Sequence, residues 1–99
     1  MFKESKVNYT IAYGKIIRLK CELVNFTGVT VQWLRHGKVI VEKQKNRYRI
    51  RTDEKQSVLR IKETNKEDAG KYECRAQNKF GTASRKLNLT VTGTVTINL

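Results

Sequence analysis

The chain has no proline, a single histidine, a single tryptophan and two cysteines in 99 residues, and its 9 acids face 21 lysines and arginines. Nowhere does an apolar run approach membrane-spanning length, and no signal peptide or lipid-attachment signal is present. Met1 therefore reads as the start of one module of a longer protein. No glycine-rich loop of the kind that cradles phosphates exists either. Without proline, one common guard against edge-to-edge strand pairing is missing, so charge must protect the edges. Lys3, Lys6, Lys43 and Lys45 lie in segments suited to that role.

Ninety-nine residues make one domain. Period-two alternation dominates, and no window sustains a helical apolar stripe, so the chain reads as all-β. From Lys15 to Leu23, Ile17, Leu19, Cys21 and Leu23 point inward, with Ile16, Arg18, Lys20 and Glu22 outward. Val29 to Arg35 turns Val31 and Trp33 inward, and His36-Gly37-Lys38 reads as a turn into a short strand from Val39 to Val41. Tyr48 and Ile50 face inward on the next strand, against Arg47, Arg49 and Arg51 outward. Ser57 to Lys62 then turns Leu59 and Ile61 inward and Val58, Arg60 and Lys62 outward. Tyr72, Cys74 and Ala76 form the next inward row. Asn78-Lys79-Phe80-Gly81 is a hairpin signal leading to a last strand through Leu87, Leu89 and Val91.

Trp33 follows Cys21 by 12 positions, Cys74 follows it by 53, and Cys74 closes the run Asp68-Ala69-Gly70-Lys71-Tyr72-Glu73-Cys74. With Trp33-Leu34-Arg35-His36-Gly37, Leu59-Arg60-Ile61 and Ala76-Gln77-Asn78-Lys79-Phe80-Gly81, these motifs resemble an immunoglobulin-superfamily domain of the intermediate set, from Val7 to about Val91. The short connection from Trp33 to Val39 argues against the variable type. The resemblance implies an all-β, two-sheet immunoglobulin-like sandwich, strands A, B, E and D against G, F and C. It implies one inter-sheet disulfide between Cys21 and Cys74, which on a chain-entropy model would stabilise by about 4 kcal/mol. Cytosolic relatives can instead keep both cysteines reduced as small hydrophobes. The resemblance further implies a core tyrosine, Tyr72, bonded through its hydroxyl to backbone upstream, and an Arg47–Asp68 pair. Thr64 departs from the apolar residue usual at its position. Residues 1–92 are expected to form the domain and 93–99 a linker or strand extension.

A formal net charge of +12 exceeds the magnitude of about 2–8 that solubility asks of a small domain, and points to a polyanionic partner. The facing assignments locate it. The B strand presents Arg18 and Lys20, the E strand Arg60 and Lys62, and the D strand Arg47, Arg49 and Arg51, with Glu22 the only acid in those rows. Alternate residues are about 6.8 Å apart along a strand and neighbouring strands about 4.8 Å apart. Such a grid suits sulfate or phosphate groups, because guanidinium binds oxyanions through two parallel hydrogen bonds. The opposite sheet mixes Lys71, Glu73, Arg75 and Gln77 with Thr30, Gln32 and Leu34. Nucleic acid is disfavoured as the polyanion, since no aromatics interleave the basic rows.

Three sequons, at Asn8, Asn25 and Asn88, favour an extracellular or cell-surface location within a longer secreted or membrane protein. With the cysteines assigned to the core, His36 has no partner for a zinc set or a Cys-His pair, and Asp53-Glu54 reads as a solvated turn. No enzyme, metal or cofactor is expected. The expected function is an extracellular binding module engaging an anionic glycan such as heparan sulfate, similar to heparin-binding immunoglobulin modules of fibroblast growth factor receptors and neuregulins. The alternative is a structural or protein-interaction module of a multi-domain chain, including a muscle-filament type. Its contacts would come from loops or the G, F and C sheet, where Leu34 and the Phe80 hairpin are exposed candidates, and its partner would be an acidic protein surface.

Overall fold

The computed structural model describes residues 6–24, 28–41 and 47–93. The strands are β1 (Asn8–Ala12), β2 (Ile17–Glu22), β3 (Thr30–Arg35), β4 (Lys38–Val39), β5 (Tyr48–Thr52), β6 (Gln56–Ile61), β7 (Gly70–Asn78) and β8 (Gly81–Thr92), with a 3-10 turn at Lys66–Asp68 before β7. They form two sheets, ordered β1-β8-β7-β3-β4 and β2-β6-β5. The inward rows meet between them. Leu19, Cys21, Trp33, Leu59, Ile61, Cys74 and Leu87 are fully buried there, and Tyr72 is nearly so. Trp33 Nε1 donates to Ser57 Oγ at 2.8 Å, tying the two sheets through the core.

The expected grouping of strand A with B, E and D is corrected. Asn8–Ala12 instead pairs in parallel with β8, from Asn8 opposite Asn88 to Ala12 opposite Thr92. Tyr9 explains the placement: its ring is buried while its hydroxyl accepts from the backbone N–H of Lys20 at 3.1 Å, so one side chain closes the gap between β1 and β2. The short strand after the His36-Gly37 turn is Lys38–Val39, earlier than the expected Val39 to Val41. Both turn residues have positive φ, 52° and 77°, as a two-residue hairpin with matching twist requires.

The expected Cys21–Cys74 bond is likewise corrected. Both are buried free thiols, close together but beyond disulfide-bonding distance. The neighbouring Cys21 thiol, and then burial, push the Cys74 thiol far above its ordinary value. As thiols, the pair fills space between the sheets as small hydrophobes. Thr64, at the position usually apolar, is fully buried, and its hydroxyl and backbone N–H both donate to the Lys15 carbonyl. A threonine fits because that carbonyl lies within its reach.

Tyr72 Oη donates to the Asp68 carbonyl at 2.5 Å, as the resemblance implied. The Asp68 carboxylate is itself fully buried. Arg47 reaches it with two hydrogen bonds, 2.6 and 3.0 Å, Tyr48 Oη donates at 3.2 Å, and the Asn65 backbone N–H donates at 2.9 Å. Burial alone would raise this carboxyl, but the hydrogen bonds from Arg47, Asn65 and Tyr48 outweigh it and hold it below its ordinary value. The segments expected to carry Lys3, Lys43 and Lys45, the Asn25 sequon and the tail from residue 94 lie outside the described residues.

Candidate functional site

The outer face of β2-β6-β5 carries its side chains in register. Arg60 on β6 stands directly between Arg18 on β2 and Arg49 on β5. One row along, Val58 stands between Lys20 and Arg51, and the row after that pairs Gln56 with Glu22. In the other direction the Lys62 N–H bonds the Arg47 carbonyl. A groove of about 380 Å³ runs along this face, with Arg18 and Lys20 as one wall, Arg49 and Arg51 as the other, and Val58 and Arg60 as its floor. Its volume lies within the range of small-ligand sites.

Three guanidinium groups side by side on neighbouring strands repel one another, an arrangement that like-charge pairing rules disfavour. No acid answers them: the ion pairs among the described residues are Arg35 and Arg47 with Asp68, and Arg75 with Glu73. The Nε of Arg60 is buried without a hydrogen-bond partner. The row holds uncompensated charge, exposed at Arg18 and Arg49, which an oxyanion would offset.

Five of the seven expected cations, Arg18, Lys20, Arg49, Arg51 and Arg60, line this groove, and the exposed Lys62 follows just beyond the end of β6. Arg47 is the exception. It precedes β5 and swings to Asp68, and that hydrogen bond raises its own basicity further. Its charge is thus spent within the fold, as the same residue's expected pairing with Asp68 required. Sequence reading missed Asp53, which lines one end of the groove. Its Oδ1 accepts from the backbone N–H of Lys55 and Gln56 at 2.8 and 3.0 Å, and this local turn places its carboxylate beside β6. An aspartate shortly before the first residue of β6 was the available signal.

The other sheet offers less. Leu34, expected to be exposed there, is buried at 3% exposure. It points outward, yet Val39 and Glu73 flank it in register, and Lys86 stands beyond Glu73. Aliphatic stems of such neighbours cover an apolar residue between them. Phe80 is 85% exposed on the β7–β8 turn, with the Lys79 ammonium 5.1 Å from its ring centre. Asn8 and Asn88 are exposed on adjacent strands of this sheet, and Asn88 Nδ2 donates to Asn8 Oδ1 at 3.1 Å. Among the described residues no group of His, Cys, Asp and Glu is placed to hold a metal ion.

A family model described as the immunoglobulin I-set domain matches residues 1–91. Human palladin is 32% identical over 104 aligned positions, covering 99% of this chain and 8% of palladin. Bovine neural cell adhesion molecule 1 is 32% identical over 90% of this chain and 10% of its own length, and mouse hemicentin-1 37% identical over 83% and 1%. The chain thus spans a tenth or less of the length of these relatives. Among solved structures, a chain of the complex between titin M10 and an obscurin-like 1 immunoglobulin domain superposes with a TM-score of 0.84 at 25% identity, covering 93% of this chain and 92% of that one.

Proposed function

The chain belongs to the immunoglobulin I-set family, and on that premise we propose that it is a binding module whose β2-β6-β5 face engages a sulfated glycan such as heparan sulfate at the cell surface. The observation that carries the reading is the Arg18–Arg60–Arg49 row, three uncompensated guanidinium groups in direct register across the groove. A flexible polyanion lowers their mutual repulsion and supplies acceptors, and its affinity falls as salt screens the face. The half-buried Val58 between Lys20 and Arg51 gives the nonpolar face of a sugar ring an apolar seat, while no aromatic lines the groove for a nucleic-acid base to stack on.

The relatives range from an adhesion molecule to palladin, so cell-surface placement and likeness to heparin-binding receptor modules are part of this proposal. The sequons at Asn8 and Asn88 support that placement. Both lie on the five-stranded sheet, so glycans there would leave the cationic groove open.

Elution from a heparin column tests the site. Reversing Arg49, Arg60 and Lys62 to glutamate is expected to lower the elution salt far more than reversing Lys71, Arg75 and Lys79. Equal losses would mean that net charge, not this face, governs binding. A second reading, a protein-interaction module, draws on the exposed Phe80 at its hairpin tip. It predicts that Phe80→Ser abolishes capture of a protein partner while heparin elution stays unchanged.

A further inference from the structure

The charge along the groove is graded. At one end the chain leaves β6 through the exposed Lys62, whose neighbour Arg47 has its charge taken by Asp68. The Arg18–Arg60–Arg49 row and then Lys20 and Arg51 follow. The next position reverses sign: Glu22 and Asp53 flank Gln56 and wall an adjoining hollow, where Lys55 offsets only one of the two carboxylates.

Resting on the polyanion reading above, we infer that the groove has a closed end: it seats a short block of a linear sulfated glycan, which enters past Lys62 and stops at Glu22 and Asp53. From Val58 to Lys62 is four residue steps along β6 and just past its end, about 14 Å at the rise of a strand. Anionic groups on both sides of the glycan meet the two walls, and the carboxylates repel any continuation. The site therefore selects for a bilaterally charged block of limited length over a uniformly charged polymer running straight through. Affinity rises with chain length only until the block is filled.

Asp53→Asn isolates the closure, because the amide keeps the Oδ1 acceptor for the Lys55 and Gln56 N–H groups while removing the charge. One row away, about 7 Å through water, a unit charge alters affinity by about two- to threefold. Heparin-derived oligosaccharides of increasing length are titrated calorimetrically against the unaltered chain, Asp53→Asn, Glu22→Gln and the remote control Glu67→Gln. The expected result is a plateau in affinity with length for the unaltered chain, and about a two- to threefold gain on long oligosaccharides for Asp53→Asn and Glu22→Gln, with a smaller gain for Glu67→Gln. Absence of oligosaccharide binding by the unaltered chain would overturn the polyanion reading itself. Binding without a plateau, or equal gains in all three variants, would overturn the closed end alone.

Discussion

Arg47 and Arg49 lie two residues apart, and both belong to the basic row legible in the sequence, yet the structure gives them opposite work. Replacing Arg47 with glutamine leaves the Asp68 carboxylate, which is 0% exposed, without its two shortest side-chain hydrogen bonds. Removing one member of a buried ion pair costs about 3–5 kcal/mol. Asp68 would keep the Asn65 N–H, the Tyr48 hydroxyl and Arg35 Nη1 at 3.9 Å, which places the loss at the low end, about 3 kcal/mol. For a domain of this size that lowers Tm by about 12–24 °C. Arg49→Gln changes an exposed side chain with no ion pair among the described residues, so stability should stay within about 0.5 kcal/mol. Thermal unfolding followed by circular dichroism, with heparin elution on the same samples, reads both. Arg47→Gln is expected to lose stability with little loss of binding, and Arg49→Gln the reverse. The pH dependence supplies an independent sign. Because the folded state holds Asp68 below its ordinary value, its contribution is fully present above the unfolded value and lost as pH falls through the folded one. The unaltered protein should therefore lose more stability than Arg47→Gln on acidification below about pH 4. A Tm for Arg47→Gln within about 4 °C of the unaltered protein would refute the reasoning.

Leu34→Ala should cost about 2–5 kcal/mol in chemical denaturation, since Leu34 is buried, whereas an exposed leucine would lose almost nothing. Thiol titration should show Cys21 and Cys74 unreactive in the folded protein at pH 8 and both reactive once unfolded, because both side chains are fully buried and out of reach of the reagent. An unfolded chain without reactive thiols would show instead that the pair had oxidised.

Two signals carried most of the fold before any coordinates. Alternation set which side chains face inward in β2, β5, β6, β7 and β8, because a strand's side chains have a period of two and the core accepts only one parity. The Trp33 and Tyr72 motifs then set the sandwich, and with it the Arg18, Lys20, Arg49, Arg51 and Arg60 face. What stayed illegible was whatever depends on a neighbour distant in sequence. Parity told that Leu34 points outward but not that Val39 and Glu73 stand beside it. The pattern of β1 fits either sheet edge, and only its pairing with β8 assigned it.

By itself, then, the sequence determined an all-β chain with an immunoglobulin-type framework and a basic outer row, since periodicity and local turn chemistry are properties of neighbouring residues. Only the tertiary structure decided which cations are available. Arg47 and Arg49 are indistinguishable in pattern, but folding brings the buried carboxylate of Asp68 to one and leaves the other in register with Arg60 and Arg18. Charge is a property of the residue, and its partner is a property of the fold.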